Sequence, residues 1–271
     1  MAYLFAYDSI KSNIFVFMKL TFLGTGTSQG VPVIACDCKV CVSENPKDNR
    51  LRSSVMISID DVNYVIDTGP DFRQQMLREK VQDVRAVLFT HEHKDHVAGM
   101  DDIRAFNYKY QKDMDIFCDL NVQKALLREY PYVFADFKYP GVPEVKVHQI
   151  CKEEVFTIDG NIFTPIEVMH YKLPVMGFRV KDFTYITDAK TVSAEEIEKI
   201  KGTKVLVVNA LRVREHISHF NLSQALGFIK KINPERAYLT HLSHLMGLHD
   251  EVSIDLPSNV SIAYDGLQIN C

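Results

Sequence analysis

The chain has 271 residues, 46% of them hydrophobic and 24% charged, with a formal net charge of −4. That length can bury a sizeable core as one large domain or two small ones, and the composition is that of a globular protein with no run suggesting disorder. An acidic chain has no whole-molecule attraction for nucleic acid, and no apolar stretch approaches the roughly 20 residues of a membrane span. Residues 1–17 are apolar but carry Asp8 and lack a basic leader, so they make a poor signal peptide. They read as an N-terminal extension without chemistry, ahead of a domain spanning residues 18–271.

From Met18 the elements follow in order. A strand at 18–24 runs into the glycine-rich loop Gly24-Thr25-Gly26-Thr27-Ser28-Gln29-Gly30. The loop lacks the Gly-Lys-Ser/Thr ending of a phosphate-binding loop, and no helical pattern follows it. Residues 32–46 form a long loop, which needs something to hold it. Strands at 54–59 and 63–66 are joined by the turn Asp60-Asp61, and Pro70 opens a short amphipathic helix to about Lys80. A strand at 86–89 precedes a histidine cluster, and helices are expected after Gly99 and over 122–130. Strands at 115–118, 145–150, 155–158, 162–169, 175–180 and 183–186 come next. The last third alternates helix 194–200, strand 205–208, helix 222–232 and strand 237–240. A final strand pair, 260–264 and 267–270, is expected to turn at Asp265-Gly266. Strands in runs, then strands alternating with helices, indicate sheets covered by helices.

Chemistry concentrates in Thr90-His91-Glu92-His93-Lys94-Asp95-His96, straight after the apolar run Ala86-Val87-Leu88-Phe89. His91 and His93 can point the same way while Asp95 and His96 turn elsewhere, an arrangement suited to two adjacent metal ions. Imidazole with carboxylate favours zinc, manganese or iron. Further donors close later apolar runs: His170 after Val168-Met169, Asp188 after Tyr185-Ile186-Thr187, and His241 after Leu239-Thr240. Asp67 ends a neighbouring strand and is either an acceptor fixing a ligand tautomer or a turn residue. Three of six cysteines are crowded as Cys36-x-Cys38-x-x-Cys41. In a chain without an export signal this reads as a zinc loop in a cytoplasmic protein. His244, three residues beyond His241, is the natural fourth ligand.

His91-x-His93-x-Asp95-His96 resembles the H-x-H-x-D-H signature of the metallo-β-lactamase superfamily. The cysteine loop with His244, the loop Gly24–Pro32 and the ending Ala263-Tyr264-Asp265-Gly266 resemble its phosphoribosyl cyclic phosphate phosphodiesterase (PhnP-like) branch, from about Met18 onward. The resemblance implies an α/β fold, a four-layer αββα sandwich of two mixed sheets flanked by helices. It implies one ion, manganese or zinc, on His91, His93 and His170, a second on Asp95, His96 and His241, and Asp188 bridging them. Cys36, Cys38, Cys41 and His244 would hold a structural zinc. The candidate catalytic residues are Asp95, itself a ligand, and His219, set in His216-Ile217-Ser218-His219-Phe220-Asn221-Leu222-Ser223. His219 would protonate the leaving oxygen, with His216 the second choice for that role. The implied activity is attack by a metal-bridging hydroxide on a small, cyclic phosphodiester in a homodimer. Two readings stand beside it: a tRNA 3′-processing endonuclease, and an accessory protein of cofactor biosynthesis. His148, Cys118, Cys151, Cys271 and His249 receive no role, and His249 is expected in a surface loop.

Overall fold

The computed structural model describes residues 17–271; the expected N-terminal extension therefore lies outside the described residues except for Phe17. Fifteen strands are described: β1 Met18–Gly24, β2 Ser54–Ile59, β3 Val62–Ile66, β4 Ala86–Leu88, β5 Met114–Cys118, β6 Val145–Gln149, β7 Phe156–Ile158, β8 Asn161–His170, β9 Leu173–Val180, β10 Phe183–Tyr185, β11 Thr191–Val192, β12 Val205–Asn209, β13 Arg236–Thr240, β14 Val260–Ile262 and β15 Gln268–Asn270. Seven helices accompany them: α1 Phe72–Arg78, α2 Lys94–Val97, α3 Arg104–Tyr110, α4 Leu120–Glu129, α5 Ala194–Ile200, α6 Leu222–Ile232 and α7 His249–Ser253. None of the described helices is long and apolar enough to cross a membrane.

The strands form two mixed sheets. One runs β15-β1-β2-β3-β4-β5-β6; the other runs β11-β8-β9-β10-β12-β13-β14, with β7 paired to β8. In each sheet the half that follows short turns is antiparallel, and the half with helical crossovers is parallel. Side chains alternate between faces, so a strand that is apolar throughout serves two cores. Ala86 and Leu88 of β4 face the opposite sheet, while Val87 and Phe89 face α1, α3 and α4. Val205 and Val207 of β12 likewise face inward, and Leu206 and Val208 face α5 and α6. The result is the expected four-layer αββα sandwich, with one apolar layer between the sheets and one beneath each set of helices.

The β2–β3 hairpin turns at Asp60 and Asp61, both with positive φ (48° and 65°), the two-residue geometry that matches the twist of paired strands. The helix expected from Pro70 begins at Phe72 instead. Asp71 precedes it without capping, because its carboxylate is occupied by the Arg52 backbone N–H and guanidinium at 2.8–3.1 Å.

The final strand pair does not form a hairpin. β14 joins β13 in one sheet and β15 joins β1 in the other, so Asp265-Gly266 crosses between sheets. The reason is the capture of this turn by β1 and its loop. Gly26 and Arg52 meet in a bridge nearby, and Gly266 N–H donates to Phe22 O while Phe22 N–H donates to Leu267 O. Asp265, with its side chain 9% exposed, accepts from the N–H and hydroxyl of Thr25 at 2.9 and 2.8 Å and from Leu51 N–H at 2.8 Å.

His249 is also placed differently from expectation. It is buried at the start of α7, its N–H donates to Asp48 at 2.7 Å, and its ring lies 3.3 Å from the Arg50 guanidinium. Arg50 itself donates to Thr25 Oγ1 and Ala263 O at 2.8 and 2.6 Å. Polar groups beside glycine-rich backbone thus join the ends of the two sheets. Asp265→Ala strands the Thr25 and Leu51 donors and should cost on the order of 3–5 kcal/mol, measured by urea unfolding; a loss below about 1 kcal/mol would show that the junction closes without this carboxylate.

Candidate metal centre

The sequence-predicted ligands come from the same edge of both sheets. In the first, β3 ends at Asp67 and β4 runs through Thr90 into His91. In the second, β8 ends at His170, β10 is followed by Asp188 and β13 by His241. Three of these residues hold left-handed backbone: Asp67 (φ 65°), Asp188 (56°) and His241 (57°). Such conformations persist only where surrounding contacts enforce them, and they recur at functional sites. Between His93 and Val97 the chain makes one helical turn, α2; Thr68 and Gly99 clasp it through Thr68 N–H to His96 O and Gly99 N–H to Thr68 O, both 2.8 Å. Glycine is required here: a Cβ on Gly69 would lie 2.2 Å from Asp95 O, and one on Gly99 2.1 Å from Gly69 O.

Donor atoms converge inside this edge. His91 Nε2 and His93 Nδ1 are 3.1 Å apart. His96 Nε2 lies 3.1 Å from Asp95 Oδ2 and 3.3 Å from Asp188 Oδ2. His241 Nε2 is 3.2 Å from Asp188 Oδ1, and His219 Nδ1 is 3.6 Å from the same oxygen. The His170 ring centre is 5.2 Å from that of His93 and 4.4 Å from that of His219. Asp188 thus stands between two histidine groups, one oxygen toward each. Three sets of ligand atoms fall close enough to share an ion: His91, His96 and Asp188; Asp95, His96 and His241; and His170, Asp188 and His219.

The outward ring nitrogens determine what the inward ones offer. His170 Nδ1 faces the Ser218 carbonyl at 2.9 Å; a carbonyl only accepts, so Nδ1 carries the proton and Nε2 a lone pair. His96 Nδ1 donates to Asp67 at 2.7 Å. Thr90 spends its hydroxyl proton on Asp67 (2.8 Å), leaving its oxygen to accept from His91 Nδ1 at 3.0 Å. Ser53 donates to Gly26 O and accepts from His241 Nδ1 at 3.2 Å. Four imidazoles therefore turn Nε2 lone pairs to the centre, as metal ligation demands. Asp67 proves to be both of its alternatives, acceptor and turn residue.

The electrostatics of the cluster suit a bound cation. Burial opposes charge on every group here, lowering the pKa of His91 and His241. For His96, Asp95, Asp67 and Asp188 outweigh burial and hold the ring well above the ordinary histidine range. Burial also raises Asp188, but His241 and His96 outweigh it and hold the carboxyl well below its usual range. His96 Nε2 is buried facing carboxylate oxygens at 3.1 and 3.3 Å, and His219 Nδ1 is buried without a hydrogen-bond partner. Two carboxylates turned on one ring nitrogen form a donor set that a cation would take up. The residues fit divalent cations.

A second cluster lies behind His241. Cys36, Cys38 and Cys41 place their sulfurs 3.3, 3.4 and 3.4 Å from His244 Nδ1, a closed S₃N set suited to tetrahedral zinc. The Cys41 backbone N–H is the chief cause that draws the Cys38 thiol down to about 6, while burial pushes Cys41 up to about 11. His148 stands apart, paired with Asp115 at 2.6 Å and stacked on Phe117. The hydroxyls that orient the ligands, Thr90 and Ser53, carry no sequence signal beyond their nearness to apolar strand ends, and Ser218 acts through its backbone.

A family model described as a beta-lactamase superfamily domain matches residues 62–242. A protein of Porphyromonas gingivalis named octanoyltransferase is 38% identical over 253 residues, 93% of this chain and 51% of the relative; the chain thus spans about half that relative's length. The crystal structure of a diphosphatase from the PhnP family is 33% identical, with a TM-score of 0.88 over 94% of this chain and 97% of that one. Zinc-bound PqqB from Methylobacterium extorquens shares the fold at 17% identity, with a TM-score of 0.79 over 93% of this chain and 100% of that one. With the fold, the donor clusters and these likenesses in agreement, the chain belongs to the metallo-β-lactamase superfamily and is PhnP-like within it.

Proposed function

We propose that this hydrolase cleaves a small phosphodiester, cyclic in the manner of a phosphoribosyl cyclic phosphate, at a two-ion site. The observation that carries the reading is the position of Asp188, which lies within ligand range of His91 and His96 and also of His170, with His241 Nε2 3.2 Å from one of its oxygens. In this reading His91, His93 and His170 would hold one ion and Asp95, His96 and His241 the other, with Asp188 available to both. Ions so held supply Lewis acidity for the phosphoryl oxygens and a water nucleophile at neutral pH.

The remaining work falls to the protein. Asp95 keeps its carboxylate ionised against burial through His96, which preserves negative charge for the second ion. Burial pushes His219 down to about 3. An arriving phosphodiester carries the negative charge that favours the protonated ring, so His219 can stabilise the leaving oxygen and pass it a proton. Both sheets contribute donors, so residues 18–271 are taken as one catalytic unit. The cysteine clip, three residues from His241, braces the wall that carries it. Cytoplasmic location and homodimer formation belong to the same reading, through the thiol-rich zinc loop and the PhnP-like resemblance. The Porphyromonas relative's named transferase activity has half of that protein outside the matched region, and it is not carried over.

Hydrolysis of bis(p-nitrophenyl) phosphate with added manganese or zinc tests the activity. His219→Ala should lower kcat by about 10²–10⁴-fold, and full activity in Asp188→Ala would sink the assignment. Cleavage of a precursor tRNA with steep salt dependence would favour the endonuclease reading instead. Elemental analysis should find three ions per chain, with Cys36→Ser losing one and His93→Ala losing one or both of the others; a single structural zinc per chain would favour the accessory reading. Asp67→Asn should weaken metal affinity by about 10–100-fold in competition with a chelator, and unchanged affinity would deny Asp67 its orienting role.

A further inference from the structure

Between β12 and α6 the chain crosses the mouth of the metal centre as residues 210–221, and one residue there has no part in the mechanism above. His216 lies with its ring centre 5.2 Å from that of His219, which is in turn 5.0 Å from His241 and 4.4 Å from His170. The three rings His241, His219 and His216 form a file from the buried donors toward solvent, and His216 is its half-buried outer member.

Its tautomer follows from its neighbours. His216 Nδ1 faces the Ser218 backbone nitrogen at 3.3 Å and the Ser218 hydroxyl at 3.2 Å. A backbone N–H can only donate, so Nδ1 is the acceptor and the neutral ring carries its proton on Nε2. Burial, then the positive charge of Arg212, lowers its pKa, which favours the neutral ring and this tautomer. Among the described residues Nε2 meets no acceptor. The same residue, Ser218, orients His170 through its carbonyl, so one short turn aims both rings. Arg212 and Lys190 are held close by, Arg212 by Arg214 O and Glu215 O, and Lys190 by Gln224 and Glu215. The surroundings of His216 therefore favour an anion, which the outward Nε2–H can meet as a donor.

We propose that His216 is a substrate-binding residue, which donates Nε2–H to an oxygen of the phosphodiester and acts in binding rather than in proton transfer. The proposal rests on the phosphodiesterase reading of the adjoining site, and it gives the two histidines of this loop separate tasks.

The test compares His216→Ala, His216→Gln and His219→Ala in the metal-loaded full chain. With bis(p-nitrophenyl) phosphate, His216→Ala should raise KM by about tenfold with kcat within about threefold of the parent, as expected for one lost hydrogen bond to a charged group. His216→Gln, whose amide N–H reaches a similar position, should recover part of the loss. A kcat collapse in His216→Ala matching that of His219→Ala would overturn the division of tasks, and an unchanged KM would overturn substrate contact. Two measurements do not need turnover. Nitrogen-15 NMR of histidine-labelled protein should find the Nε2–H tautomer at His216, and an Nδ1–H ring would overturn the geometry. Calorimetric binding of inorganic phosphate should weaken about tenfold in His216→Ala, and unchanged binding would overturn the anion contact. Absence of diester hydrolysis in the parent protein, with phosphate binding still dependent on His216, would fault the phosphodiesterase reading and the assigned ligand while leaving the donor in place.

Discussion

The buried carboxylate of Asp67 is the constraint on which the active edge depends. It sits at the end of β3, accepts Thr90 N–H and hydroxyl and His96 Nδ1–H, all at 2.7–2.8 Å, and is wholly excluded from solvent. Burial alone pushes its pKa up, so the three donors are what make a carboxylate tolerable there. In return it fixes the step from β4 into α2 and the ring plane of His96. Through Thr90 it reaches His91 as well. One side chain from the first sheet thereby orients two donors of the cluster, His91 and His96.

The second sheet supplies the complement by other means. Its donor histidines are steered by a hydroxyl and a backbone carbonyl rather than by a buried charge: Ser53 for His241, Ser218 for His170. The left-handed residues at strand ends matter because a strand alone would carry the next side chain onto one of its two faces. A single turn of left-handed backbone lifts Asp188 and His241 off that alternation and over the edge. Backbone strain of this kind is tolerated because the strands beneath are packed on both faces.

Much of this was legible in the sequence because the fold repeats one device, an apolar strand followed by a histidine or aspartate donor. His91, His93, His96, His170, Asp188 and His241 all stand at or just beyond the strand ends expected of them, and the strands of the second sheet were read to within a few residues except the two-residue edge strand β11, which was missed. What could not be read were the contacts made at long range. Nothing in Ser53 marks it as a partner of His241, 188 positions away. Local pattern suggested a hairpin at Asp265-Gly266, but the competing partner of that turn was Thr25 at the other end of the chain. His249 looked exposed for the same reason: Asp48 and Arg50, which bury it, lie about 200 residues upstream. Short-range rules describe elements well and closures poorly.

The partition of β14 and β15 between sheets also bears on how the chain assembles. The pairing of Lys19 with Asn270 means that β1 gains its outer neighbour only after residue 270 has left the ribosome. Until then the first strand displays an open edge, and Leu20 and Phe22 lack part of their packing. Contacts of such sequence separation must overcome a large loop-closure entropy before they contribute, which slows the last step of folding. A nascent chain in this state resembles an unfinished sheet, the kind of species that chaperones hold.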